Sequence, residues 1–470
     1  MAIRFGTSGW RAVIGEDFTF DRLSLVVQAI ANILRKEGPL SRGVVVGYDT
    51  RFLSKEFAEE ASRVLSARRI PVFLASRDVP TPCISFTILH RKSLGGINIS
   101  ASHNPPEYNG IKFSPAYGGP AGVLVTTKIE KEIQKLLSNG KTRPPQESTS
   151  AKIHSFDPAP PYLAHLASLL RTRVLKKARL TFVVDCLNGT SRGYLDHFLK
   201  DHAGRISVLR NTLDPTFGGK RPDPVGENLS GLIREVRKTK AHLGLATDGD
   251  ADRFGIVDRG GYFISPNDVI SLLLEYLIET RPRAAKVARS LATTHRLDCI
   301  AEAHGMEVVE TPVGFKYLGE ILAGGECLLG AEESAGLSIQ HHIPEKDGIL
   351  ACLLVAEMVA SRRKSLREML KHLARTYGPF YSTRIDLTLT ESRKAKLLSH
   401  LAKETPDALG RFKILRCSRL DGFKFYLEKE GWVLLRPSGT EPLVRCYVEA
   451  RSRKDLLSIQ KGAETLLRKI

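Results

Sequence analysis

The chain has no apolar run long enough to span a bilayer. Its longest runs, near residues 269–277 and 349–359, are cut by Glu275 and Glu357. The opening ten residues carry no apolar segment of the signal-peptide kind. Seven cysteines (Cys83, Cys186, Cys299, Cys327, Cys352, Cys417 and Cys446) are scattered over 470 residues without a Cys-x-x-Cys pair. That argues against a disulfide framework or thiolate zinc site and suits reduced thiols in the cytoplasm. No low-complexity stretch and no RNP-like, zinc-finger or helix-turn-helix signature is present. Acidic residues are also scarce, 51 against 70 Lys and Arg, giving a formal net charge of +19. This excess is either an attractive field for a phosphate ester or nucleic acid, or a solvated basic surface. The bases are diffuse, and the denser runs Arg281-Pro282-Arg283 and Arg362-Arg363-Lys364 have no interleaved aromatics. Nucleic-acid and membrane partners are therefore not expected.

What remains is ordinary globular composition, 42% hydrophobic and 26% charged, in a chain too long for one core. Residues 43–48, 71–74 and 95–99 read as buried strands around an amphipathic helix at 55–65, the alternation of an α/β unit with a mostly parallel sheet. A polar, Pro-containing stretch at 139–150 reads as a linker. The pattern returns with strands at 180–185 and 242–246, and again with a helix at 267–279 and a strand at 286–290. Residues 381–389, 422–427, 432–435 and 444–447 alternate like antiparallel strands, and a basic amphipathic helix at 453–469 follows. The expected domains are 1–152, 153–258, 259–378 and 379–470: three α/β segments and a smaller α+β segment.

Four motifs carry chemistry. Ser100-Ala101-Ser102-His103-Asn104-Pro105 follows a predicted strand, at the end where open α/β sheets place ligands. Ser102 is a candidate nucleophile with His103 and Lys112 close in sequence; alternatively the segment is only a turn. In Asp248-Gly249-Asp250-Ala251-Asp252-Arg253, three carboxylates in five residues repel one another unless a divalent cation neutralises them. A calcium EF-hand fails on spacing, because Arg253 stands where Gly is needed and Arg259 where Glu is needed. Magnesium fits better, with Arg253 beside the cage to neutralise a transferring phosphoryl group; a solvated acidic turn is the alternative.

Arg436-Pro437-Ser438-Gly439-Thr440 lies between two predicted strands and offers backbone N–H groups, two hydroxyls and a guanidinium as an anion nest, with Arg445 nearby. A tight hairpin loop is the other reading. Glu332 and Ser334 stand two apart, which in an extended segment puts both on one face, suited to vicinal sugar hydroxyls. Lys346 is a general acid/base if its pKa is lowered, or only a charge at a helix start.

Taken together and in this order, the motifs resemble the α-D-phosphohexomutase superfamily, from Phe5-Gly6-Thr7-Ser8-Gly9-Trp10-Arg11 to the final helix. The resemblance implies a heart-shaped protein: three related α/β domains with mixed, mostly parallel sheets and a C-terminal α+β domain, each giving one loop to a central cleft. It implies that Ser102 carries a phosphoryl group and holds Mg²⁺ together with Asp248, Asp250 and Asp252. Ser102 would exchange that group with a hexose 1- or 6-phosphate through a bound glucose 1,6-bisphosphate, which also serves as activator. Arg436, Ser438, Gly439 and Thr440, with Arg445, would grip the phosphate that is not reacting. Glu332 and Ser334 would hold sugar O3 and O4, with Gly314 counted among the substrate-binding residues. Arg11, Lys112 and Arg253 would add positive potential, and His103 and Lys346 would handle protons.

Thr311-Pro312-Val313-Gly314-Phe315-Lys316, Glu332-Glu333-Ser334 and Glu345-Lys346-Asp347-Gly348 are similar to the phosphoglucomutase side of the family. Phosphomannomutase-type members often carry His where this chain has Gly336, so glucose phosphate is the expected substrate, with a phosphomannomutase or a bifunctional enzyme as the alternative. Two residues depart from the family pattern, Ser100 for Thr and Ala331 for Gly; neither is expected to touch the chemistry. Sugar phosphates are the implied partners, the cytoplasm the expected compartment, and a monomer or dimer the expected assembly. The rival class is a silent, basic phospholigand- or nucleic-acid-binding protein on the same scaffold.

Overall fold

A computed structural model describes residues 3–6, 8–140, 150–282, 284–437 and 443–469. The chain divides into two compact units, one of Met1–Ala284 with Gly314–Leu366, the other of Ala285–Val313 with Arg367–Ile470.

The first unit contains two mixed sheets. The valine-rich segment at 43–48 forms the strand Val44–Tyr48, buried on both faces as a central parallel strand must be. It pairs in parallel with Gly95–Ile99 and Val72–Ala75. Ile153–Phe156, which the sequence reading places in the second segment, extends this sheet beside Val72–Ala75. On the other side Tyr108–Pro115 runs antiparallel to Gly95–Ile99, and Trp10–Val13 antiparallel to Tyr108–Pro115. The helices Phe20–Leu34 and Ser54–Ala67 supply Leu23, Val27, Ile30, Phe57, Ala61 and Leu65 to a core that meets Val44, Val46, Ile97 and Ile111. Each of the larger side chains, the leucines, valines, isoleucines and phenylalanine, contributes about 2 kcal/mol on burial.

The second sheet has the order Tyr262–Ile264, Phe254–Asp258, Leu243–Thr247, Thr181–Asp185, Arg205–Leu209. Its central strands are parallel, and the strand after Leu243–Thr247 returns antiparallel, so the intervening turn, residues 248–253, is held at both ends. The same unit carries the hairpin Cys327–Glu332/Gly336–Ile339 and the buried helix Gly348–Arg362, capped by Asp347, which accepts the N–H of Leu350.

In the second unit Lys286–Ser290 and Glu307–Thr311 pair in parallel. The segments that alternate in sequence form an antiparallel sheet ordered Tyr381–Thr388, Leu443–Ala450, Trp432–Pro437, Phe423–Leu427, Phe412–Ser418 and Ala408–Leu409. The helices Glu391–Lys403 and Arg453–Lys469 bury Leu397, Leu401, Ile459 and Ala463 in its core. The family fold expected from sequence is present: α/β units with mixed sheets and a C-terminal unit built on an antiparallel sheet. All seven cysteines are unpaired. No helix among the described residues is long and apolar enough to cross a membrane.

Candidate active site

The serine and aspartate loops leave the C-terminal ends of Gly95–Ile99 and Leu243–Thr247, and they meet. Ser102 Oγ donates to Asp248 Oδ2 at 2.7 Å, although the residues are 146 apart in sequence. Ser102 is left-handed, φ 51°. Its N–H donates to Ser100 Oγ at 2.9 Å, so Ser100, which the sequence reading set aside, holds the candidate nucleophile's backbone directly.

One guanidinium fixes the rest of this loop. Arg51 donates from Nη2 to the carbonyls of Ser102 (2.6 Å) and Asn104 (2.7 Å), and from Nη1 to those of Pro105 (2.7 Å) and Tyr108 (2.9 Å). Asp49 Oδ2 accepts from its Nε at 3.1 Å, and the Phe217 ring covers it at 5.0 Å. Sequence reasoning missed Arg51; its signal, an Asp-Thr-Arg run at the end of a buried strand, was present but unread.

Ser102, Asp248, Asp250 and Asp252 are each 1% exposed or less, so their charges have no water to share. Arg253 N–H donates to Asp248 Oδ1 at 3.0 Å, and Lys112 Nζ lies against Asp250 and, at 3.0 Å, Asp252. Thr81, also unforeseen, donates to Asp250. One ligand oxygen from each aspartate lies within 4.8 Å of the other two. Asp250 Oδ1 and Asp252 Oδ1 are buried with no hydrogen-bond partner among the described residues. Buried acceptors without partners are costly, and hard anionic oxygens this close together fit a hard divalent cation.

Proton affinities follow the same crowding. Burial, then Asp252 and Asp250, pushes Asp248 well above the usual carboxylate range. Burial works the same way on Asp252 but is outweighed by Lys112, Lys346 and Arg253, which hold it low. Burial depresses the His103 imidazole well below its ordinary value, and Arg253 and Arg11 add to this, so it is neutral at pH 7. His103 Nδ1 lies 3.4 Å from Ser102 Oγ. Arg11 donates from Nη1 to Asn104 Oδ1 at 2.7 Å.

Lys346 Nζ reaches Asp252 Oδ2 at 3.3 Å and Glu345 Oε1 at 3.0 Å. Burial alone would lower its pKa, but Asp252, Glu345 and Glu332 outweigh it and raise the ammonium above its ordinary value. Of the two sequence readings of Lys346, the lowered pKa is not what its surroundings produce; they favour the charged ammonium. Glu332 ends the strand Cys327–Glu332, accepts the N–H of Gly314 at 2.8 Å, and is pushed up to about 7 by burial and by Glu333. Gly314 occupies φ 133°, a backbone region that suits glycine. Ser334 lies in the turn after Glu332, half-buried, and not on an extended strand, so strand alternation does not set its direction.

In the second unit Arg436, next to last in the strand Trp432–Pro437, lies opposite Arg445 of the neighbouring strand. Arg436 Nε donates to Asp421 Oδ2 at 2.8 Å. The other members of the expected cradle, Ser438, Gly439 and Thr440, lie outside the described residues.

Four family models match in chain order: phosphoglucomutase/phosphomannomutase α/β/α domain I over residues 2–139, domain II over 160–261, domain III over 265–377 and the C-terminal domain over 388–464. The chain belongs to the phosphoglucomutase/phosphomannomutase family. It is 30% identical to a phosphoglucomutase/phosphomannomutase of Thermococcus kodakarensis, over 96% of this chain and 95% of that one. With phosphoglucomutase 1 of Drosophila melanogaster it shares 33% identity, over 96% and 91%. A Thermus thermophilus crystal structure described as a phosphomannomutase superposes with a TM-score of 0.86 at 32% identity, covering 100% of this chain and 99% of that one. Membership makes the chain an isomerase, a mutase of hexose phosphates in the α-D-phosphohexomutase superfamily.

Proposed function

We propose that this chain interconverts glucose 1-phosphate and glucose 6-phosphate, with Ser102 as the phosphoryl carrier. The observation that carries the reading is the buried junction of Ser102 Oγ with Asp248 Oδ2 at 2.7 Å, inside a ring of three aspartates and Lys112. Nucleophile and metal ligands so joined suit phosphoryl transfer, where alignment and charge stabilisation supply most of the catalysis.

Asp248, Asp250, Asp252 and the oxygen on Ser102 would hold Mg²⁺, which when bound supplies Lewis-acid stabilisation to the phosphoryl oxygens. As the phosphoryl group passes from Ser102 Oγ to a sugar hydroxyl, the serine O–P bond breaks and the sugar O–P bond forms. The hydroxyl proton moves the opposite way, to Ser102 Oγ. Neutral His103, beside that oxygen, can pass it on. Lys346, as an ammonium, stabilises charge on the phosphoryl group and donates a proton where one is needed. The product of this half-reaction is glucose 1,6-bisphosphate, which returns its other phosphoryl group to Ser102 after reversing its orientation. Glu332, and with it Ser334, would hold the sugar hydroxyls; Arg436, aided by Arg445, Ser438, Gly439 and Thr440, would hold the phosphate at rest. Arg11 and Arg253 add positive potential beside the serine loop.

Glucose is favoured over mannose by the residues around Gly314 and Glu332 and by glycine at 336. Unpaired cysteines and sugar-phosphate chemistry fit a cytoplasmic enzyme. The test is interconversion of the two glucose phosphates with Mg²⁺ and a trace of glucose 1,6-bisphosphate, mannose 1-phosphate in parallel, and Ser102→Ala as control. Turnover that survives in the control sinks the carrier assignment. A larger kcat/KM on mannose 1-phosphate sinks the glucose preference.

A further inference from the structure

Arg436 and Arg445 are register partners on adjacent antiparallel strands. Like charges directly opposite each other repel, and two unrestrained guanidiniums would turn apart, leaving no fixed fork for an anion. Asp421, in the loop before Phe423–Leu427, opposes this for Arg436. Its Oδ2 accepts the Arg436 Nε–H at 2.8 Å and the backbone N–H of Val313 at 3.0 Å. All three residues belong to the same compact unit, so the carboxylate ties the arginine to a backbone point outside its own strand. The contact uses only Nε. The two terminal amino groups of Arg436 make no hydrogen bond among the described residues. Those two groups can form a bidentate contact with a phosphate.

We propose that Asp421 is a positioning residue for phosphate capture: it orients Arg436 against the turn at Val313 so that the guanidinium meets the resting phosphate of the substrate end-on. The inference rests on the reading of Arg436 given under the proposed function. It also explains why an acidic residue stands beside a phosphate-binding arginine, where its own charge would otherwise repel the ligand. A carboxylate whose Oδ2 accepts from both an arginine and an N–H has its charge partly offset locally, and a pre-oriented side chain loses less entropy on binding.

The experiment is calorimetric binding of glucose 6-phosphate to the full-length wild type, Asp421→Ala, Asp421→Asn, Arg436→Ala and the Asp421→Ala/Arg436→Ala double variant, with thermal melts confirming that each is folded. Asp421→Ala is expected to weaken binding about tenfold, with kcat changed less than about threefold. Asp421→Asn, still able to accept the Val313 N–H but uncharged, should fall between wild type and Asp421→Ala. In the Arg436→Ala background the second substitution should add almost nothing, because there is no guanidinium left to aim. Unchanged affinity in Asp421→Ala, or a full additional loss in the double variant, would overturn the proposal. Binding does not require turnover. A protein that shows this pattern yet converts no hexose phosphate would sink the proposed reaction and leave the role of Asp421 standing.

Discussion

The aliphatic stem of Lys346 lies flat against Gly336. A Cβ built at 336 would fall 2.3 Å from Lys346 Cδ and 2.8 Å from its Cγ. Glycine at this place has no unusual backbone angle to satisfy; it leaves the room through which the lysine reaches Asp252 and Glu345. The residue at 336 and the position of the ammonium are thus one structural variable.

Gly336→Ala should therefore fold normally and displace the lysine. We expect kcat to fall about tenfold or more, since a misplaced acid loses part of the about 10²-fold that a positioned one contributes. Lys346→Ala should fall further, and Gly336→Ala/Lys346→Ala should be no slower than Lys346→Ala. Steady-state kinetics of the three variants checks this, and additive losses would refute the shared cause.

Arg51→Lys keeps the charge but offers one ammonium where four carbonyls are now met by a planar fork. The serine loop should lose its fixed course, lowering kcat about tenfold or more with a smaller effect on KM. Rapid-quench measurement of phosphoryl transfer to and from Ser102 should show the slowed step. A variant with wild-type kcat would mean that the loop holds its own shape.

Filling the aspartate ring should stabilise the protein. Millimolar Mg²⁺ is expected to raise the melting temperature of the wild type, and chelation to abolish turnover. Asp250→Asn should shift both the melting response and the metal dependence of the rate to higher Mg²⁺. A melt indifferent to Mg²⁺ in the wild type would count against the cage.

Glu332 gives a pH prediction. Its folded pKa of about 7 lies above the ordinary 4.5, so the folded state holds a proton that the unfolded chain has lost. The contribution to stability is greatest below about 4.5 and disappears as pH rises through 7, a change of about 3 kcal/mol. Glu332→Gln removes the titration while keeping an acceptor for Gly314. Relative to wild type, the variant should therefore gain stability between pH 5 and pH 8 in urea unfolding. A constant difference between the two would refute the shifted carboxyl.

Much of the fold was legible because its signals are local. The strands at 44–48, 95–99 and 243–247 follow from short, mostly apolar runs, and the helix at 453–469 from its periodicity. Ser102 and the three aspartates were legible because each loop packs several reactive residues into a few positions right after such a strand. The contacts of Arg51 with the serine loop and of Thr81 with Asp250 were not, since they join residues 51 and 169 positions apart that only packing brings together, even though Asp-Thr-Arg itself stands in plain view at a strand end. The direction of the Lys346 shift was left open by the sequence for a related reason. Burial alone lowers a lysine's pKa, and three carboxylates gathered from separate segments reverse the sign. Ser334 was assigned a strand's geometry that a turn does not have.

The left-handed backbone at Ser102 also restricts which alcohol can serve there. Threonine offers the same hydroxyl, but its branched Cβ is a poor guest at φ 51°. Reactivity would accept a secondary alcohol at this position; conformation disfavours it, so the main chain already biases the proposed carrier toward a primary alcohol.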